Sequence, residues 1–188
     1  MTTGERELDT PLAWAPLPTR SSVIAQDNRE SDPSGIFNWQ RIDDRLTTSG
    51  QPSEEQLTAL ANLAVTHIVN LGLHSHEKAL PDEEMSVRAL GMNYIHIPVP
   101  FDNPAENDFE RFKNVMEAFS TKTIHIHCIA NLRVSAFFYR YRRDMLGWEE
   151  AKARDEMERI WRPGGVWAEF IGDAASAGLP HSYAGRDY

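Results

Sequence analysis

Residues 124–135, reading IHIHCIANLRVS, constrain the fold more than any other part of the chain. Ile124-His125-Ile126-His127 has the apolar content and length of a buried strand. It runs into Cys128, a short turn, and then a helix that starts near Leu132 and continues to Leu146. A strand that passes through a tight turn into a helix directs backbone N–H groups at whatever occupies the turn. Negative charge is favoured there, with a cysteine beneath it. The order of residues therefore predicts an anion site formed by Ile129, Ala130, Asn131, Leu132, Arg133 and Ser135.

The same alternation extends through the chain. Ile36–Trp39 and Arg45–Thr48 read as two short strands, and Gly50-Gln51-Pro52 breaks the chain after them. Ser53 with Gln56 forms a capping box before a helix whose stripe is Leu57, Leu60, Ala61 and Ala64. Thr66–Leu71 is a strand. A helix then runs from Asp82 to Gly91, a residue suited to the position after a helix end. Asn93–Val99 is a strand closed by Pro98 and Pro100. Phe109, Phe112, Met116 and Phe119 mark a helix capped by Asn107. Trp148–Trp161 and Val166–Ile171 are the last helices. Short, nearly all-apolar strands alternating with helices imply an α/β fold with a mainly parallel central sheet and helices on both faces. Ligands of such sheets bind outside the carboxyl ends of the strands, where Cys128 falls.

An extended or disordered arm is expected over residues 1–35, with Trp14 as a possible docking point. One domain is expected over 36–172 and a flexible tail over 173–188. A length of 188 residues suits one core of this kind. The net charge of −9 argues against a nucleic-acid or membrane-surface partner, which needs a basic face. No apolar run is long enough for a membrane span, and MTTGERELDT lacks the order of a secretory leader. Cys128 is the only cysteine, so no internal disulfide forms. A reducing cytoplasm is the expected location.

A cysteine is nucleophilic as the thiolate, a form favoured by a helix start and a nearby guanidinium. Arg133 offers a planar fork to phosphate or sulfate oxygens. His127 and His125 share one strand face, and His127 is expected to support the loop from below. Asn131 tolerates a left-handed turn. Ser135 could donate to the sulfur or to a leaving thiolate. The plainer alternative is an inert buried cysteine at an ordinary strand–helix junction. His74-Ser75-His76-Glu77 could bind a metal, but a solvated loop is the simpler reading and neither metal nor cofactor is expected. Phe137, Phe138, Tyr139 and Tyr141 are expected in the core. Arg140, Arg142 and Arg143 read as a solvated helix face, and Trp161, Trp167 and Phe170 as pins for the last helices.

The His-Cys, Arg and Ser constellation resembles the cysteine-dependent tyrosine and dual-specificity phosphatases. More closely, the chain is similar to bacterial phosphatase-like proteins grouped with the beta-lactamase-hydrolase-like family. The likeness spans about residues 36–172. It rests on Ser49-Gly50-Gln51-Pro52, Val69-Asn70-Leu71, Ala79-Leu80-Pro81-Asp82-Glu83, Ile97-Pro98-Val99, HCIANLRVSAF, Trp161-Arg162-Pro163 and Val166-Trp167. It implies a three-layer, tyrosine-phosphatase-like fold of the dual-specificity type. It also implies Cys128 as nucleophile, Arg133 as the phosphate clamp and Ser135 as the loop hydroxyl, with a phosphorylated protein or small phosphomonoester as substrate. The general acid of this family falls on Asp102, with Asp108 and Glu106 as rivals.

The spacing departs from the family's C-x5-R: here it is C-x4-R. Without a gap Val134 takes the arginine position; with a one-residue gap Arg133 does. Rhodanese-type sulfurtransferases use a loop of the shorter length, sized for one sulfur atom. A persulfide on Cys128 is therefore one alternative function, and an anion-binding module with little turnover is another. Oligomeric state is not legible.

Overall fold

The computed structural model describes residues 32–183. The arm expected at the N-terminus, including Trp14, lies outside the described residues as far as position 31, as does the tail beyond position 183.

The central sheet has the order β1-β2-β5-β3-β4. Its strands are β1 (Gln40–Arg41), β2 (Leu46–Ser49), β3 (His67–Asn70), β4 (Asn93–His96) and β5 (Ile124–His127). Only β1 runs antiparallel, pairing with β2; β2, β5, β3 and β4 are mutually parallel. Ile36–Trp39, expected as a strand, is instead a turn in which Asn38 adopts φ 50°. A left-handed residue cannot continue a strand, so pairing begins at Gln40.

Helices α1 (Glu54–Asn62) and α2 (Glu83–Ala89) cover one face, where Leu57, Leu60 and Val87 pack on Ile68. The predicted capping box opens α1: Ser53 Oγ accepts from Gln56 N at 3.2 Å, and Gln56 Oε1 accepts from Ser53 N at 2.9 Å. Helices α3 (Glu106–Ala118), α4 (Leu132–Arg140), α5 (Glu150–Glu158) and α6 (Gly165–Ile171) cover the other. Phe109, Phe112, Phe137, Met157 and Trp167 meet Val69, Ile124 and Ile126 there in the larger core. Helix α3 starts two residues earlier than Asn107 implied. Asp108 Oδ2 accepts from Ala105 N at 3.3 Å, which makes Ala105 the cap and puts Asn107 inside the helix.

Helix α4 does not run to Leu146 as a regular helix but widens into a π-helical turn, Tyr141–Met145. Residues 173–183, expected as loose tail, pack back on the domain: β7 (Ser182–Tyr183) pairs with β6 (Trp161–Arg162), and His181 Nδ1 accepts from Gly164 N at 2.9 Å. Trp161 supplies the reason, since its ring lies against His181 and Tyr183.

Candidate active site

Strand register decides what lies under the cysteine. Thr47, His125 and Ile68 sit side by side, as do Ser49, His127, Asn70 and His96 in the next row. Alternation sends Ile124 and Ile126 into the large core and both histidines to the opposite face. There the His125 ring bridges the Thr47 and Ser49 hydroxyls at 2.9 and 3.0 Å. Complete burial, with the charge on His127 beside it, holds His125 well below the usual imidazole range, so it stays neutral.

His127 meets a different environment. Its Nε2 lies 3.1 Å from Glu83 Oε1, and its Nδ1 lies 3.4 Å from the Cys128 carbonyl. The expected support of the loop by His127 is thus a link from helix α2 to the first peptide after the strand. Glu83 is buried at 3% exposure and also accepts from Gln51 Nε2 (2.6 Å), Asn70 Nδ2 (2.8 Å) and Tyr94 OH (2.8 Å). Burial alone would raise the Glu83 carboxyl. The charge of His127 and hydrogen bonds from His127, Tyr94 and Gln51 outweigh burial and bring it down to about 2. Tyr94 is displaced upward by its own burial and by the Glu83 charge. The His74 ring stacks on His96 at 3.8 Å, and its Nε2 lies 2.8 Å from Tyr94 OH. His74 therefore extends this network.

The loop is fastened from outside. Gln51 N donates to the Ile129 carbonyl (3.1 Å), and Asn38 Nδ2 to the Ala130 carbonyl (2.9 Å). Asn131 Nδ2 in turn donates to the Asn38 carbonyl (2.8 Å) and to Thr48 Oγ1 (3.1 Å). Asn131 has φ 65°, the left-handed value that its residue type tolerated in the sequence. Gly50 is required where the segments touch, because a Cβ there would lie 2.9 Å from the Ile129 oxygen. A trans peptide sets N–H opposite to C=O, so with the Ile129 carbonyl turned to Gln51 the Ala130 N–H points away from it. Helix α4 begins with Leu132, Arg133 and Val134, whose N–H groups have no intrahelical acceptor. The Asn131 side chain does not cap them. The shortened loop thus leaves backbone donors free of intrahelical acceptors at the start of α4, four residues after Cys128, which is itself fully buried.

Packing treats Val134 and Arg133 differently. Val134 is fully buried in the large core, whereas Arg133 faces the β4–α3 connection. Arg133 Nε donates to the Val99 carbonyl at 2.8 Å, and its guanidinium lies 5.0 Å from the centre of the Phe101 ring. Asp102 is the next residue, in the turn closed by Asn103 N and the Pro100 carbonyl, and it is exposed. Its rivals are committed elsewhere: Glu106 holds Arg140 through two hydrogen bonds (2.8 and 3.0 Å), and Asp108 caps α3. The Ser135 hydroxyl donates to the Leu132 carbonyl (2.9 Å) and accepts from Trp161 Nε1 (3.0 Å).

Trp167 Nε1 donates to the Phe101 carbonyl at 2.6 Å, so the C-terminal helices pin the Asp102 turn as well as themselves. Trp167→Phe should lose about 1 kcal/mol of stability through this one bond. Amide exchange at Asp102 and Asn103 should accelerate; unchanged exchange would show that the indole does not hold the turn.

Glu83 and its donors were not foreseen as part of the site. The signal available was the middle of three consecutive acids, Asp82-Glu83-Glu84, at a helix start, which reads as solvated. Its role becomes visible only through the register that sets Asn70 beside His127.

The family model that matches residues 24–166 describes a DSP-PTPase phosphatase fused to NAD+ kinase. Among solved structures, the DUF442 protein of Shewanella putrefaciens CN-32 is 35% identical over 65% of this chain and 78% of that one, with a TM-score of 0.60. A second crystal structure of it gives 31%, 74%, 91% and 0.66. Pseudomonas aeruginosa TpbA in complex with pTyr is 19% identical over 65% and 72% of the two chains, with a TM-score of 0.55. The PP-IP phosphatase SIW14 of S. cerevisiae is 16% identical over 73% and 85%, with 0.60; these two share the fold. A comparison with curated proteins finds no match. Among the described residues no helix is long and apolar enough to cross a membrane. With a family model spanning most of its length and the tyrosine-phosphatase fold beneath it, the chain belongs to the DSP-PTPase family of cysteine-based phosphatases.

Proposed function

We propose that the protein hydrolyses a phosphomonoester in two steps at Cys128. The sulfur attacks phosphorus and the P–O ester bond breaks, while Asp102 gives its proton to the leaving oxygen. Water then attacks phosphorus, Asp102 takes a proton from it, the S–P bond breaks and inorganic phosphate leaves. The α4 amides and the guanidinium of Arg133 stabilise the equatorial oxygens. The observation that carries this reading is the Arg133–Val99 bond. It ties the loop to the carbonyl just before the Pro100–Asn103 turn that carries Asp102, which supports a clamp and an acid working side by side. A bound pTyr in TpbA, a protein of the same fold, is consistent with a phosphorylated substrate.

Acid-quenching the enzyme during turnover of an aryl phosphate, followed by peptide mass spectrometry, tests the intermediate. A phosphoryl adduct on the Cys128 peptide is expected. Steady turnover without an adduct overturns the mechanism. A persulfide on Cys128 after thiosulfate treatment, with no phosphate release from any ester, would point to sulfur transfer.

A further inference from the structure

Of Arg140, Arg142 and Arg143, expected on a solvated face, Arg142 is the one that is buried. Arg142 is 5% exposed. Its guanidinium lies against the rings of Phe138 (5.5 Å) and Trp148 (5.0 Å), and it makes no hydrogen bond or ion pair with any described residue. No Arg142 nitrogen is both sealed from solvent and unpaired, so the guanidinium keeps access to open space, and the Glu156 carboxylate acts on it as a counter-charge without bonding it. Arg142 stands in the π-helical turn, closed by Leu146 N and the Tyr141 carbonyl at 3.1 Å, and Trp148 N returns to the Arg142 carbonyl at 2.9 Å. π-Helical turns are rare and concentrate at functional sites. This one carries Arg142, which lines a cavity shared with Leu46 and Ile124 of the sheet.

What Arg142 lines is a cavity of about 480 Å³ with Met116, Phe119, Leu146 and Trp148 among its walls. That volume is in the range of small-molecule sites. Leu46 and Ile124, the first residues of β2 and β5, also line it, so it stands at the opposite end of the sheet from Cys128, about 13 Å away along β5. The other charged groups at its edge are largely engaged. Arg41 pairs with Asp32, Arg45 donates to the Ser120 carbonyl, the Asp43 carboxylate accepts from Arg45 N, and Glu156 pairs with Arg159. Lys122 adds a further cation at the rim.

We infer that this cavity is a second ligand site, for an organic anion with an apolar body and one acidic head. The carboxylate, sulfonate or phosphate head pairs with the Arg142 fork, and the body lies against Phe119, Met116 and Leu146. Burial depresses Arg142 from its ordinary value, and the Glu156 charge at the cavity edge offsets this only in part.

The test is fluorescence titration of the full chain with 8-anilinonaphthalene-1-sulfonate and with its neutral analogue N-phenyl-1-naphthylamine. One saturable site is expected, with the sulfonate bound at least tenfold more tightly than the neutral analogue. Arg142→Met should remove at least tenfold of the sulfonate affinity and leave the neutral analogue unchanged. Leu146→Glu, at a residue 54% exposed, should repel the sulfonate similarly without disturbing the core, and it decides the matter if Arg142→Met fails to fold. Wild-type sulfonate affinity in a folded variant, or equal affinity for the two probes, overturns the site.

Discussion

Cys128→Ser is expected to lower kcat by at least about 10⁴-fold, the scale on which loss of a nucleophile acts. The fold and the loop amides should be retained, because the Ile129 and Ala130 carbonyls are fastened by Gln51 and Asn38 rather than by the sulfur. Substrate binding should therefore survive while turnover stops, and calorimetric titration of the inactive variant with an aryl phosphate checks it. Turnover at the wild-type rate would remove Cys128 from the reaction. Asp102→Asn gives a graded companion result. Loss of a general acid costs about 10²–10⁴-fold when the leaving oxygen is a poor one, and much less for a nitrophenolate, which departs unprotonated. Glu106→Gln and Asp108→Asn should not show that leaving-group dependence, since Glu106 is held by Arg140 and Asp108 by the Ala105 N–H.

The strand–turn–helix shape around Cys128 was legible because the signals were local. An apolar run, a turn residue that accepts φ 65° and an apolar helical stripe each act within a few positions. The choice between Arg133 and Val134 was not local. It depends on which side chain the core takes, and packing gives Val134 to the core and Arg133 to Val99 and Phe101. Ser135 misled for a related reason: its hydroxyl was read from its place in the motif, whereas the Trp161 indole, 26 positions away, fixes its direction. Arg142 was misread because the solvated-face argument assumes an unbroken helix. A π-helical turn rotates every residue after it, and nothing in Tyr141–Met145 announces one. Glu83 is the extreme case, since its four partners come from the Gln51 turn, β3, β4 and β5.

Those partners make Glu83 the residue whose removal should cost most stability. An ionised carboxylate accepts from all four donors, whereas the amide of Glu83→Gln sets an N–H₂ against two of them. Breaking a buried charge pair from one side costs about 3–5 kcal/mol, which for a domain of this size lowers Tm by roughly 10 °C. The pH dependence separates this from a simple packing loss. The folded carboxyl is held at about 2 against an ordinary 4.5, so its contribution is complete above pH 4.5 and disappears as pH falls toward 2. That contribution is on the order of 3 kcal/mol. The gap between wild type and Glu83→Gln in urea denaturation should thus be widest at neutral pH and narrow below pH 4.5, whatever other carboxylates do to both curves. A constant gap would mean that Glu83 acts through shape alone. If the gap narrows as expected, turnover should also fall in the variant. Its His127 would have lost the anchor from which it reaches the Cys128 carbonyl, and the loop would no longer be held from the α2 side.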